Sequence, residues 1–515
     1  MKEALYKVPD YSLLEKENVA NNAKYIYEKQ EIEVFFKNFK IYVECKDIFV
    51  GTNSVTYVIN LSPGTKLSRI KSYKQDLIMR FNAIDIEFEI SINGTGYLGM
   101  IVIKEKDKPL MLGDLIDNAE VKKSKYKVPI ILGKDFNGNI CVEDLAELPH
   151  LLIAGTTGTG KSTFLSTLII DILYKFNPDE LKLILIDTRA TNFLRFNRIP
   201  HLYIPVITDS KRTVAVLMYL INQMKARYKS FGGKNVDDID EYNEISENKI
   251  PRIVLIIEDL YDLMLDTNKE VEQYIKILTQ MSRASGIHVV ISTQRPSTNV
   301  ITGVIKANIP ARMSFYVPSY IDSRTIIDEA GAEKLQINGD IIFSKIGSKK
   351  KKRIQTPYVT DKEIKKIVEQ INIDVEESDC EIELETADDM LTNEEDFDLF
   401  LMDAIEYAMK EGEISASMIQ RKFKLGYARA GKIIDQMEAK GIISGYEGSK
   451  PRRVLLNNNN NTNIIETNKE DINVQEMDNI ETDNIDERKN EKSIFNKWWF
   501  WALAIIFASI IIKNI

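Results

Sequence analysis

The 515-residue chain is poor in the residues that build compact chemical sites by themselves: three cysteines, three histidines and three tryptophans. Cys45, Cys141 and Cys380 lie far apart and show no C-x-x-C spacing. That argues against a disulfide framework or a zinc site and fits a reducing cytosol. His150, His201 and His288 show no ligand spacing either, so each reads as structural. The first 30 residues carry charge throughout, so no secretory signal is expected there. No internal repeat is visible, which removes solenoids and propellers. The chain is also too long for one core, since single cores stop growing at roughly 250–300 residues.

The net charge of −9 is unevenly spread. Residues 374–396 hold 12 acidic and no basic side chains, and residues 457–492 hold 10 acidic and 4 basic. The remainder has 64 Lys+Arg against 55 Asp+Glu and is mildly basic, a balance that permits contact with nucleic acid. All three tryptophans fall in one place, at the head of the charge-free run 498–512. That run is shorter than the ~20 residues a membrane span prefers, although Ile494 and Phe495 can extend it. Its tryptophans stand where an interfacial belt would sit. Arg488, Lys489, Lys492 and Lys497 precede it and only Lys513 follows. The expectation is a single-pass C-terminal anchor, with the bulk of the protein on the cytoplasmic face of the cell membrane.

Patterning divides the chain into an arm (1–31), a small α/β accessory domain (32–128), a larger α/β domain (129–365), an acidic linker (366–397), a three-helix unit with a strand-like end (398–456), an Asn-rich tether (457–497) and the tail (498–512). In the accessory part, runs 39–43, 55–59 and 84–92 read as strands, with a helix near 67–82. In the larger domain, apolar strands near 182–187, 253–257, 289–292 and 312–317 alternate with helices, which predicts a parallel sheet covered on both faces.

One motif in that domain carries chemistry. Gly155, Thr156, Thr157, Gly158, Thr159, Gly160, Lys161 and Ser162 form G-x-x-x-x-G-K-S, between an apolar strand end (Leu151 to Ala154) and a helix-compatible stretch (Phe164 to Leu173), with Thr163 counted among the nucleotide-binding residues. Glycines let successive N–H groups turn inward around a polyphosphate, as in ATP. Lys161 would reach the β- and γ-phosphates, and the Ser162 hydroxyl would ligate Mg²⁺. A motor also needs a carboxylate for the metal shell and another to orient water. The strand from Arg252 to Ile257 ends in Glu258 and Asp259, and a later strand ends in Gln294 and Arg295.

These features, with the runs Ser292 to Ser297, Val300 to Pro310 and Asp322 to Glu333, resemble the FtsK/SpoIIIE family of double-stranded DNA translocases. Pro63 to Lys66 and Leu132 to Asp135 resemble its accessory domain and junction, and Gly426 to Ala430 and Gln436 to Ile442 its C-terminal winged helix. The resemblance covers about 32–456, in the family's order. It implies a RecA-like P-loop motor, a homohexameric ring around duplex DNA, ATP bound between subunits, and an arginine supplied in trans, for which Arg312 and Arg324 are the candidates. It also implies that Lys161, Glu258, Asp259 and Gln294 are catalytic and that Ser162 and Glu258 hold Mg²⁺.

Two departures stand out. The family usually has Asp then Glu where this chain has Glu258 then Asp259, which points to slowed hydrolysis. It commonly has Asp-Pro-Lys where this chain has Asp187, Thr188 and Arg189. In the winged helix, the helix from Tyr427 to Ala439 buries Ile433, Ile434 and Met437. Arg429, Lys432 and Gln436 are then placed to face DNA, three or four residues apart, with Lys450, Arg452 and Arg453 in the wing. Ala428, Lys432 and Asp435 stand where Asn, Arg and Glu are common, so the preferred DNA sequence is expected to differ. The reading is a membrane-tethered, ATP-driven DNA translocase of chromosome segregation or DNA transfer. Its rivals are a coupling ATPase for conjugative or plasmid transfer, and a DNA-binding membrane anchor that binds ATP but hydrolyses it poorly.

Overall fold

The computed structural model describes residues 6–16, 23–105, 109–118, 121, 125–267, 270–345, 348, 351–371, 400–423, 425–439, 441–445 and 451–455. The acidic stretch 374–396, Lys450, the tether 457–497 and the tail 498–512 lie outside the described residues. Among the described residues, no helix is long and apolar enough to cross a membrane.

The accessory unit is an antiparallel sheet of β1 (Val43–Val50), β2 (Ser54–Leu61), β3 (Asp85–Ile90) and β4 (Leu98–Ile103), in the order β1-β2-β4-β3. Tyr57, Ile59, Met100 and Val102 on its inner face pack against the helices Ala23–Asn38 and Lys74–Phe81, through Ile32, Phe36, Leu77 and Phe81. The run 39–43 is not a strand: Phe39 and Lys40 form a turn, with Lys40 at φ +57°, and pairing begins at Val43.

The expected arm is two things. Residues 6–16 are a strap on the larger domain. The Tyr6 hydroxyl donates to the Leu173 carbonyl at 2.6 Å, Tyr174 donates to the Asp10 carbonyl at 3.0 Å, and Leu14 enters the core. The helix Ala23–Asn38 then runs across the expected boundary at residue 31.

The larger domain holds one nine-stranded sheet. Its strands are β5 (Pro129–Asp135), β6 (Ile140–Asp144), β7 (His150–Ala154), β8 (Leu181–Asp187), β9 (Arg252–Glu258), β10 (Ile287–Thr293), β11 (Ala311–Ser314), β12 (Asp340–Ser344) and β13 (Lys352–Gln355). Their order is β6-β5-β13-β12-β11-β7-β10-β9-β8. Five strands, β11 to β8 in that order, are parallel neighbours. The other four join antiparallel, so the sheet is mixed where a parallel one was expected. The reason is local: β5–β6 and β12–β13 are joined by connections too short for a crossover, and a short connection forces antiparallel pairing. The parallel strands are apolar almost throughout because both faces are covered. The helix Lys161–Lys175 covers one face with Phe164, Leu168, Ile169 and Leu173, and helices Ser210–Lys234 and Glu270–Met281 cover the other with Leu217, Ile221, Tyr274 and Leu278. Each such buried side chain contributes roughly 1.5–3 kcal/mol.

Arg353 of β13 ties this sheet to the accessory unit, pairing with Asp340 and with Glu87, each at 2.6 Å. The C-terminal unit has helices Leu401–Glu411, Ala416–Phe423 and Tyr427–Ala439, and a two-stranded ribbon of β14 (Glu413–Ile414) and β15 (Arg452–Arg453). Gly441, at φ +66°, turns the chain out of the last helix, a left-handed residue just past the helix end.

Candidate active site

The carboxyl ends of β7, β10, β9 and β8 lie side by side, because Ala154 pairs with Thr293 and Asp187 with Glu258. That edge is where ligands of open α/β sheets bind. Residues 155–160 turn there from β7 into the helix Lys161–Lys175, and Gly158 and Gly160 adopt φ of +80° and +112°. A Cβ on Gly160 would stand 3.0 Å from the Gly339 nitrogen, a tight approach at a φ that side chains rarely adopt, so glycine suits the turn. The helix presents its unpaired N–H groups and its positive dipole end to the loop. Lys161 is buried, and its Nζ donates to the Thr156 carbonyl at 2.6 Å. Burial pulls its ammonium down to about 8, against the opposing pull of Asp259 and Glu258. A polyanion at the loop would favour the charged form again. A cleft of about 780 Å³ opens over the loop, lined by Thr157, Lys161, Ser162, Gln294, Asn338 and Tyr358.

Glu258, buried at the end of β9, meets the loop through Ser162. The Ser162 hydroxyl donates to its Oε1 at 2.5 Å, and Asn192 Nδ2 donates to the same oxygen at 2.8 Å. Its Oε2 is buried with no hydrogen-bond partner. Burial pushes the carboxyl up to about 7; Asp187 adds to the rise, while the Ser162 and Asn192 hydrogen bonds oppose it. A hydroxyl beside a carboxylate with one unsatisfied oxygen suits a hard, oxygen-seeking cation such as Mg²⁺. Among the described residues there is no group of three His, Cys, Asp or Glu able to cage an ion. A site with one or two protein ligands, completed by phosphate and water, is the usual mode for Mg²⁺.

Asp259 is held differently. Its backbone is left-handed, φ +58° and ψ +75°, a conformation that costs a non-glycine residue roughly 1–3 kcal/mol and survives only where the surroundings fix it. Its N–H donates to Ser292 Oγ at 3.3 Å. Its Oδ1 accepts from the Gln294 N–H at 3.3 Å and from the Thr293 hydroxyl at 3.5 Å. Its Oδ2 pairs with an Arg189 Nη2 at 2.9 Å. Gln294 in turn accepts from the Thr157 hydroxyl at 2.7 Å, which links the tip of β10 to the loop. Lys161, Ser162, Glu258, Asp259 and Gln294 are thus brought together. Two participants were not foreseen. Asn192 fixes Glu258 from the loop after β8, where its own N–H and that of Phe193 both donate to Asp187. Arg189 fixes Asp259. For Asn192 the sequence offers no signal; for Arg189 the only one is its departure from the family pattern.

The two arginine candidates separate. Arg312 is nearly buried and satisfied within its own chain, donating to the Lys306 carbonyl at 2.9 Å and the Ile309 carbonyl at 3.3 Å and pairing with Asp328. Arg324 is exposed on the helix Tyr320–Ile327, its guanidinium 5.7 Å from the Tyr320 ring centroid.

In the C-terminal unit one expectation fails. Arg429 does not face outward. It pairs with Glu270 at 2.8 Å and stacks on Tyr274 and Phe400 at 5.3 and 5.2 Å. Gln273 adds a 2.7 Å hydrogen bond to the Phe423 carbonyl. The first turn of the helix Tyr427–Ala439 therefore rests on the helix Glu270–Met281, and Arg429 is not available to DNA in this arrangement. Lys432 and Gln436 are half-buried. Arg452 is occupied by Glu438, and Arg453 is exposed on β15.

Comparison with known proteins agrees with this anatomy. Residues 111–298 match the FtsK/SpoIIIE family, residues 8–102 the FtsK alpha domain, and residues 395–457 the Ftsk gamma domain. The chain is 42% identical over 459 residues to the DNA translocase FtsK of Caldanaerobacter subterraneus subsp. tengcongensis, covering 88% of this chain and 65% of that one. It is 38% identical over 459 residues to the DNA translocase SftA of Bacillus subtilis, covering 88% and 48%. It therefore spans about half to two thirds of the length of these relatives. Among solved structures, the pCW3 conjugation coupling protein TcpA, in its monomer form with ATPγS, overlaps 67% of this chain and 99% of its own, at 23% identity and a TM-score of 0.48.

Proposed function

The chain belongs to the FtsK/SpoIIIE family, and from that premise we propose that it is an ATP-driven translocase of double-stranded DNA, acting in chromosome segregation or DNA transfer. The observation that carries the reading is the contact between Ser162 and Glu258, with the Glu258 Oε2 left unsatisfied beside the phosphate loop. Residues Gly155 to Thr163 wrap the phosphates, and Lys161 matches their charge. Ser162 and Glu258 would hold Mg²⁺, and the chemistry it would supply there is charge neutralisation at the phosphates. Asp259 and Gln294 orient the attacking water. The exposed Arg324 is the better placed of the two arginines to reach a neighbour's nucleotide in the homohexameric ring that the family resemblance implies. The C-terminal run 498–512 tethers the ring to the cytoplasmic face of the membrane. A fluorescent fusion that loses its peripheral signal when 498–512 are deleted supports that placement; one that is diffuse with the tail intact refutes it.

The test of the activity is ATP turnover with and without duplex DNA, with Lys161→Ala as the control. Stimulation by DNA that depends on Lys161 supports a motor. A second reading, a DNA-binding anchor that holds ATP but scarcely hydrolyses it, has one observation in its favour: the water-orienting Asp259 is engaged by Arg189. Nucleotide binding without stimulated turnover would select it.

A further inference from the structure

Arg189 lies in the turn after β8, with no part in the phosphate loop, the cation donors or the strand tips. It nonetheless reaches the residue that hydrolysis depends on. Its guanidinium bridges Asp259 Oδ2 at 2.9 Å and Asp262 Oδ2 at 2.5 Å. Oδ1 of Asp259 accepts from Thr293 and Gln294, whereas Oδ2 makes no hydrogen bond and meets Arg189 as an ion pair. Oδ2 is buried, and the guanidinium stands where an attacking water would have to approach it.

The two partners differ in freedom. The Asp259 side chain is 2% exposed and pinned at a left-handed residue, whereas the Arg189 side chain is 43% exposed. Arg189 shares a recess of about 440 Å³ with Thr156, Thr157, Gln294 and Arg295, at the end of the loop where a terminal phosphate would lie. The turn that carries it contains a second left-handed non-glycine residue, Ala190 at φ +53°. Strain of this kind persists only where the surroundings impose it and is common at switching sites. So the arginine can leave.

We propose that Arg189 is a positioning residue that sequesters Asp259 Oδ2 and thereby holds ATP turnover down until its guanidinium is drawn off. The proposal rests on the ATP-hydrolysis reading above and gives it a regulated step. It also accounts for the pairing of two departures from the family pattern: a carboxylate at 259 one methylene shorter than usual, and an arginine at 189 long enough to reach it.

The test measures turnover of the full chain without DNA across ATP concentrations, together with the affinity for a fluorescent ATP analogue. Arg189→Ala is expected to raise kcat about fivefold, the population ratio that a partly exposed ion pair sustains, with KM and analogue affinity unchanged. Arg189→Gln keeps the bulk, removes the charge and should behave likewise. Placed on Asp259→Ala, Arg189→Ala should change nothing further, since the arginine acts through that carboxylate. A kcat that falls or stays level in both Arg189 variants, or a rise that persists without Asp259, overturns the proposal and leaves the ATPase reading intact. Absence of Lys161-dependent turnover in the wild type and in both variants removes the reading itself and the proposal with it.

Discussion

Replacing Glu258 with glutamine should make the protein more stable and less active, and the size of the first effect follows from the site. Glu258 is 5% exposed, and its carboxyl is pushed from 4.5 up to about 7, first by burial and then by Asp187. At 1.36 kcal/mol per unit, keeping it ionised in the folded protein costs about 3 kcal/mol above pH 7. The sign follows from linkage. Between pH 4.5 and 7 the folded state holds a proton that the unfolded state has released, so stability falls as pH rises through that window. Glutamine fills the same space, can accept from Ser162 through its amide oxygen, and never carries the charge. Glu258→Gln should therefore raise the unfolding temperature by several degrees at pH 8, since 1 kcal/mol shifts a domain of this size by roughly 2–4 °C. The gain should shrink as pH falls towards 5. Turnover should drop on the order of a hundredfold, because the cation loses its anionic ligand. Scanning calorimetry in EDTA at pH 5, 6, 7 and 8 measures the first effect. A variant no more stable than wild type at pH 8, or one whose advantage is independent of pH, would refute the reasoning.

Other outcomes follow from the same structure. Gly160→Ala, with φ +112° and Gly339 only 3.0 Å from the new methyl, should abolish nucleotide binding, read by titration with a fluorescent analogue. Arg312→Ala should cost about 2–4 kcal/mol of stability by stripping the Lys306 and Ile309 carbonyls and Asp328 of their donor, seen as a lower unfolding temperature. Arg324→Ala should leave that temperature within about a degree, as exposed substitutions usually do, and lower turnover instead. Glu270→Ala should release the C-terminal unit by removing the acceptor for Arg429, seen as a larger maximum dimension in small-angle scattering.

How much of this could be read in advance varies with how local each feature is. The phosphate loop was legible because its chemistry is carried by contiguous backbone, and Glu258 because a carboxylate at the tip of an apolar strand is itself a pattern. The strands at 181–187, 252–258 and 287–293 were legible for the same reason. The antiparallel half of the sheet was not, since alternating strands and helices say nothing about hairpins appended at an edge. Asn192 and Arg189 reach the site from a turn whose placement depends on β8 and β9 lying side by side, which no local pattern encodes. Helical spacing put Arg429, Lys432 and Gln436 on one polar face, and that was as far as it could go. Whether water, DNA or another helix covers that face is a tertiary fact, and for Arg429 the answer is Glu270, Tyr274 and Phe400.

The central claim is that nucleotide chemistry at Lys161, Ser162, Glu258 and Asp259 drives movement on DNA. ATP turnover of the full chain, measured with and without linear duplex DNA, tests it most directly. The account predicts a low basal rate, a clear stimulation by duplex DNA, and loss of both in Lys161→Ala. Intact nucleotide binding with no stimulation by DNA would contradict it.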